Sequence, residues 1–430
     1  MHKTSIFTGQ VTAPSSKSQS VRGLLFALLA SGKSTLTNVL ASDDTQHAIQ
    51  VCKDLGATIT QAEGKIIVES RGIPLPSTAQ LINTGNSGIT TRFIMPILGL
   101  RYHPQQPIIL DCNEQMRSRP IRSLATALTA LGMTCAYQGQ AGSCPIAVSG
   151  ELQGGIAEVE GITSQYLSAL LIALPCAPQD SEIRVHDLHE RPYVELTLSW
   201  LQEQGIYFEH QRLGKMDIYK IRGKHRYQPF QKTIMGDFSS ASYLLAAASL
   251  FEGSVTLQGL DMSDSQGDKQ LIDILQKMGA DIRVNRNDII VHGGKPLQGI
   301  AIDANEIPDL LPTLAVLGVH ASGETRIYNV PQARIKETDR IHSMTEGLRR
   351  LGAKVEEFKD GLTVSNSQLR GAVVEGYDDH RTVMALALAG MQAEGETVIT
   401  QGEAINKTFP TFVSLMCSLG AKMELINVAQ

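Results

Sequence analysis

The chain is poor in the features that mark several common classes of protein. Its six cysteines, Cys52, Cys112, Cys135, Cys144, Cys176 and Cys417, include no CxxC pair and no cysteine–histidine spacing of the zinc-binding kind. They read as small buried hydrophobes in a reducing compartment, so neither a disulfide nor a metal is predicted. Long hydrophobic runs are missing. The longest, residues 24–30, falls far short of the ~20 residues that span a bilayer. Met1-His2-Lys3-Thr4 carries no apolar signal core, so the expectation is a cytoplasmic protein with no membrane partner. Nor is there a basic excess: 38 Lys plus Arg against 43 Asp plus Glu leave a net charge of -5, which argues against a nucleic-acid partner. Any anionic ligand must therefore be met locally.

What the chain does have is a repeat. Amphipathic runs close on Leu55-Gly56-Ala57, Leu131-Gly132-Met133, Gln204-Gly205-Ile206, Met278-Gly279-Ala280, Leu351-Gly352-Ala353 and Leu419-Gly420-Ala421. Their spacing of roughly 70 residues is that of a repeated supersecondary unit. In residues 268–278, Leu271, Ile272, Ile274, Leu275 and Met278 follow helical spacing, and Gly279 supplies the left-handed residue that ends the helix. Residues 280–284 then alternate with period two, 285–288 turn, and 289–291 return as a hairpin partner. Residues 345–364 follow the same grammar, with Leu348 and Leu351 before Gly352 and Val355 in the strand. Six helix-plus-hairpin units need shared cores, and 430 residues exceed what one core usually serves. Three repeats per domain is the simplest partition, with the break in the polar, Gly- and Pro-containing residues 223–229.

Outside the repeats, Lys17, Arg22, Arg92, Arg119, Arg191, Lys336, Arg340, Arg381 and Lys407 stand in connections rich in Gly, Ser and Thr. Singly, each reads as solvated charge; joined to hydroxyls and glycine, they read as a loop-built anion site. Residues 14–22 lead into a helix over 23–29, where Ser16, Ser18 and Ser20 offer hydroxyls while backbone N–H groups and the helix dipole favour an anion. A plain serine N-cap is the other reading of that segment. Gly85-Asn86-Ser87-Gly88 offers a second cradle, because glycine admits close backbone approach. Gly32-Lys33-Ser34 mimics the end of a P-loop, but Ala27 stands where its first glycine belongs. Residues 335–341 place Lys336 and Arg340 four apart within one helical turn, beside Glu337 and Asp339. Asp309, Asp378-Asp379-His380-Arg381 and Asn406-Lys407-Thr408 set further ionisable groups at the edges of apolar helices.

At these residues the chain resembles the 5-enolpyruvylshikimate-3-phosphate synthase family of enolpyruvyl transferases. The likeness runs nearly end to end, through Lys17-Ser18-x-Ser20-x-Arg22, Gly85-Asn86-Ser87-Gly88, Arg117-Ser118-Arg119-Pro120, Ser164-Gln165-Tyr166-Leu167, Asp237-Phe238-Ser239-Ser240-Ala241, Lys336-Glu337-Thr338-Asp339-Arg340, Asp379-His380-Arg381 and Lys407-Thr408-Phe409-Pro410. It implies an α/β fold of two domains, each three βαβαββ units, with the first strand in the second domain: residues 16–226, and 1–15 plus 227–430. It also implies transfer of the enolpyruvyl group of phosphoenolpyruvate to the 5-hydroxyl of shikimate 3-phosphate, without metal or organic cofactor. By motif position, Lys17, Gly88, Arg119, Gln165, Lys336, Arg340, Arg381 and Lys407 correspond to the phosphoenolpyruvate shell. Lys17, Ser18, Arg22, Thr163, Ser164, Gln165, Tyr193, Asp309, Gln332 and Lys336 correspond to the shikimate 3-phosphate side. Asp309 and Glu337 are the implied acid–base pair, with Lys17 and Lys407 stabilising developing charge and the leaving phosphate. Two phosphates and two carboxylates bring about six negative charges, which is why the chemistry needs such a cluster of cations.

Several positions depart from the family pattern. Thr163 stands for serine and Gln332 for asparagine, each keeping its polar function. Glu190 stands where a small residue often meets the substrate phosphate, and a carboxylate there repels it unless Arg191 or another cation intervenes. Ile89 and Phe93 replace the threonine and proline usual in that helix, from which weakened binding of glyphosate, the family's phosphoenolpyruvate-site inhibitor, is expected. A sister reading is UDP-N-acetylglucosamine enolpyruvyl transferase, whose reactive cysteine precedes an Arg-Pro pair, although Cys112 sits further upstream of Arg119-Pro120 than that pattern requires. A non-catalytic homologue would be expected to lose the ionisable set Asp309, Glu337, His380 and Lys407, all retained here. With the cleft complete in one chain, a monomer is expected.

Overall fold

The apolar segments behind the serine- and glycine-rich motifs fold as helices buried along nearly their whole length, as helices without a polar face must. The computed structural model describes residues 1–62, 64–285 and 288–426. Helices Lys17–Leu29, Gly88–Ile97 and Ser164–Ala173 fill the core of a first unit, Ser15–Ile234. Helices Phe238–Leu250, Leu311–His320 and His380–Gly390 fill that of a second, Met1–Pro14 with Met235–Gln430. Five of these helices start on a side-chain cap: Ser16, Ser87, Thr163, Asp237 and Asp379 each accept a backbone N–H of the first turn. Leu311–His320 is entered through the 3₁₀ turn Pro308–Leu310, which carries Asp309.

The cap corrects one expectation. The first helix begins at Lys17, not at residue 23, because Ser16 accepts from Gln19 N and its carbonyl accepts from Ser20 N. Ser16 and Ser20 are consequently structural, and both are fully buried.

Amphipathic helices lie outside the buried ones and end at the recurring glycines; Gly56, Gly132, Gly205, Gly279, Gly352 and Gly420 all have positive φ. A strand pair follows most of them. Asp281–Asn285 runs antiparallel to Asp288–His292 with Ile282 opposite Val291, and Lys354–Phe358 to Gly361–Ser365 with Val355 opposite Val364. Arg286 and Asn287, expected in the turn, lie outside the described residues. Among the described residues there are five four-stranded sheets of this plan, each hairpin extended by a parallel pair, and one two-stranded sheet.

The sixth repeat departs from the expected plan. Val373–Val374 pairs with Val398–Ile399, and no hairpin follows Gly420 among the described residues. The start of the chain takes those backbone groups: Thr397 N donates to Met1 O, and His2 bridges Lys422. Gly9–Thr12 then runs parallel to Ser254–Gln258 in the second unit. The return crossing lies at Ile234, further along than residue 226. Before it, Tyr227 is buried with its hydroxyl on Ile172 O at 2.7 Å, and Gln231–Thr233 pairs with Ser31–Thr37. Cys417 is exposed and Cys135 half-buried, so those two are not the buried hydrophobes expected. No helix among the described residues is long and apolar enough to cross a membrane.

Candidate active site

In the first unit, Lys17, Ser18, Gly88, Thr163, Ser164 and Gln165 stand at the starts of the three buried helices, whereas Arg22 lies in the second turn of the first, Arg119 in the connection after Glu114–Arg117, and Tyr193 in the first turn of Arg191–Glu203. Lys17, the first residue of its helix, pairs with Asp44 at 3.0 Å, from the start of Asp43–Asp54. Arg22 is buried. Its Nε donates to Thr197 Oγ1 (2.9 Å), its Nη1 to Ser18 O (3.0 Å) and its Nη2 to Tyr193 O (2.8 Å), and its guanidinium carbon lies 5.1 Å from the centre of the Phe93 ring. Arg22 thereby fastens Lys17–Leu29 to Arg191–Glu203 and sets the position of Tyr193. Phe93 and Ile89 are both buried, Phe93 beneath this cation.

Gly88 opens the second helix. A Cβ there would overlap the Arg119 guanidinium and fall 3.3 Å from Arg92 Nη1, so the missing side chain is what lets two cations approach the helix start. Arg92 donates to Gln165 Oε1 (2.6 Å) and Pro120 O (3.1 Å), and Tyr166 Oη also donates to Pro120 O (2.7 Å). These bonds tie Arg119-Pro120 and Gln165 to the second and third helices. Arg117 pairs with Asp111 through Nε (2.9 Å) and Nη2 (2.6 Å). Cys112 is buried beside it, its thiol lowered chiefly by a hydrogen bond from Cys144, whose own thiol is pushed up.

At the third helix, Glu190 Oε2 accepts from Ser164 Oγ (2.9 Å), Ser164 N (3.1 Å) and, more distantly, Thr163 Oγ1 (3.5 Å). Arg191 grips Asp217 at 2.9 and 2.6 Å, and His210 meets the same carboxylate at 2.8 Å.

In the second unit, the hub is Arg340. Its Nε donates to Asp379 (2.8 Å), Nη1 to Asp309 (2.7 Å) and Nη2 to Glu337 (2.5 Å). Burial would lower this guanidinium, but Asp379, Glu337 and Asp309 hold it above its usual value. Asp309 also pairs with Arg381 at 2.8 Å and lies 4.0 Å from Lys336. Burial would raise the Asp309 carboxyl; Arg381, Lys336 and Arg340 outweigh it and hold the group well below the usual carboxylate range. Lys407 donates to Asp378 O (2.6 Å) and lies 3.1 Å from its carboxylate. Gln332 Nε2 donates to Asn305 O at 2.8 Å.

Residues 335–341 do not form the helical turn expected of them. The 3₁₀ turn Pro331–Ile335 ends at Lys336, and helix Arg340–Arg350 starts afresh with Asp339 capping His342 N. Arg334 pairs with Asp339 at 2.6 Å, the chain turns at residues 336–338, and Arg340 meets both Asp309 and Glu337. Sequence reasoning missed Asp44, Asp379 as a partner of Arg340, and Phe93 as the support of Arg22. Only Asp379 carried a signal, its place in the Asp379-His380-Arg381 motif.

Comparison with known proteins agrees over the whole chain. Residues 1–416 match the family described as EPSP synthase (3-phosphoshikimate 1-carboxyvinyltransferase). A 3-phosphoshikimate 1-carboxyvinyltransferase of Acetivibrio thermocellus is 44% identical over 417 residues, 97% of each chain. That of Methanocaldococcus jannaschii is 38% identical over 428 residues, 98% of each chain. Among solved structures, the fold is similar to EPSP synthase from Acinetobacter baumannii, with a TM-score of 0.82 at 24% identity over 99% of this chain and 98% of that one. It is also similar to the enolpyruvyl transferase NikO from Streptomyces tendae, with a TM-score of 0.77 at 16% identity over 98% and 97% of the two chains.

Proposed function

Because the chain belongs to the EPSP synthase (3-phosphoshikimate 1-carboxyvinyltransferase) family, we propose that it transfers the enolpyruvyl group of phosphoenolpyruvate to the 5-hydroxyl of shikimate 3-phosphate and releases phosphate, as a step of aromatic amino-acid biosynthesis. The hydroxyl oxygen adds to C2 of phosphoenolpyruvate while C3 takes a proton. The tetrahedral intermediate then loses a proton from C3 and expels phosphate.

The observation that carries this reading is Asp309 between Arg340, Arg381 and Lys336, with Glu337 on the same Arg340. Such cations make Asp309 a weak base. Anionic substrates drawing on the same Lys and Arg charges would relieve that field, so the base strengthens as the ligands arrive. In this reading Asp309 takes the hydroxyl proton and Glu337 handles the proton at C3. Lys17 and Lys407 stabilise the developing charge and the leaving phosphate.

The phosphoenolpyruvate contacts are assigned to Lys17, Gly88, Arg119, Gln165, Lys336, Arg340, Arg381 and Lys407. Shikimate 3-phosphate is assigned to Lys17, Ser18, Arg22, Thr163, Ser164, Gln165, Tyr193, Asp309, Gln332 and Lys336. The working form is taken as a monomer acting on these two small molecules.

Phosphate release from phosphoenolpyruvate, with shikimate 3-phosphate or UDP-N-acetylglucosamine as acceptor, tests the reading. Release with shikimate 3-phosphate alone, lost by at least about a hundredfold in Lys17→Met and Glu337→Ala, is expected. Release with the sugar nucleotide alone would overturn it.

A further inference from the structure

The first turn of helix Ser164–Ala173 presents an amide N–H and two hydroxyls to one point, and Glu190 Oε2 already occupies that point, 2.9 Å from Ser164 Oγ and 3.1 Å from Ser164 N. These are the donors a substrate phosphate would use, at a helix end whose dipole favours negative charge. We propose that Glu190 is a tethered competitor at this subsite: its carboxylate holds the donors until the phosphate of shikimate 3-phosphate displaces it, and so sets the affinity for that substrate. The inference rests on the enolpyruvyl-transfer reading above and deepens it.

The surroundings favour a movement of the side chain alone. Glu190 is buried, at 2% exposure, and its φ of 57° places it in the left-handed region. On one side, His189 N donates to Gly161 O at 3.0 Å. On the other, Tyr193 N donates to Glu190 O at 3.0 Å, and Arg191 is held by Asp217 at 2.9 and 2.6 Å. With the backbone pinned on both flanks, a phosphate that takes the donors has only the Glu190 side chain to turn aside. A group anchored this close competes at a high effective concentration, which an ion in solution does not. Removing its charge should therefore strengthen binding, the opposite of what loss of a structural contact does.

The test is calorimetric titration of shikimate 3-phosphate without phosphoenolpyruvate into wild type, Glu190→Gln and Glu190→Ser, with KM for both substrates alongside. Glu190→Gln keeps the size and an acceptor oxygen. About tenfold tighter binding of shikimate 3-phosphate in both variants is expected, with KM for it lowered and KM for phosphoenolpyruvate unmoved. Should Glu190→Ser fail to fold, Glu190→Gln alone decides. Unchanged or weaker binding in an active protein would overturn the proposal and leave Glu190 a structural clamp. Wild type that releases no phosphate with shikimate 3-phosphate would overturn the underlying reading, and the proposal with it.

Discussion

At Gly88 the functional group is an empty space. The Arg119 guanidinium lies where a Cβ would stand, with Arg92 Nη1 just beyond it at 3.3 Å. The backbone there is helical and the cap from Ser87 to Thr90 N does not involve a side chain at 88, so alanine would fit the helix. The clash falls on the far end of Arg119, which would have to swing away. Gly88→Ala is therefore expected to raise KM for phosphoenolpyruvate about tenfold, the order of one lost charge-assisted contact. The melting temperature should barely change, because no core contact is lost. Steady-state kinetics with each substrate varied in turn, beside a thermal melt, check this. An equal rise in KM for shikimate 3-phosphate would count against the placement of Arg119.

The element that joins site to core in the second unit is the 3₁₀ turn Gly267–Lys269, through which Asp268 receives the Ser239 hydroxyl at the start of Phe238–Leu250. Burial, followed by the charge of Asp309, pushes the Asp268 carboxyl up to about 7. An unfolded aspartate titrates near 3.9, so between about pH 4 and 7 the folded protein binds the extra proton and loses stability as pH rises. Asp268→Asn is expected to flatten the melting temperature across that window, by removing the group that must ionise in the core. A slope equal to that of wild type would show that other groups carry it.

Nothing in the sequence marks Asp268, because what perturbs it, burial first and then the charge of Asp309, exists only in the fold. Elements fared better where a local rule governs them. The glycine-ended helices and the hairpin of Asp281–Asn285 with Asp288–His292 follow from periodicity and a left-handed C-cap. The start of the first helix was misplaced because Ser16, Ser18 and Ser20 all invite an N-cap, and only the fold shows which one accepts the backbone. Lys336-Glu337-Thr338-Asp339-Arg340 was read as a helical turn because its charges have helical spacing, whereas Arg334, through its grip on Asp339 and Glu357, breaks that turn. The cations of the site were legible from their motifs; of the carboxylates that hold them, Asp379 stood in its motif without its partner Arg340, and Asp44 became visible only once the chain was folded.

Over the whole molecule, each unit has its own buried core. The sequence contains one tryptophan, Trp200, and it lies in the first, its ring 5.2 Å from that of Phe26 and its Nε1 on Gln19 Oε1. Its fluorescence thus reports the first unit alone, while far-ultraviolet circular dichroism reports both. Asp379 offers a way to weaken only the second. It caps His380–Gly390 through Arg381 N and Thr382 N, and holds the buried Arg340 at 2.8 Å. Asp379→Ala would remove the cap and leave Arg340 with a buried donor unmatched, a loss of about 3–5 kcal/mol. If the cores unfold separately, denaturant should shift the dichroism transition of Asp379→Ala to lower concentration and split it, leaving the Trp200 midpoint in place. Both probes moving together by the same amount would mean instead that the two cores melt as one cooperative body. In that case a substitution near Arg340 would be felt at Trp200.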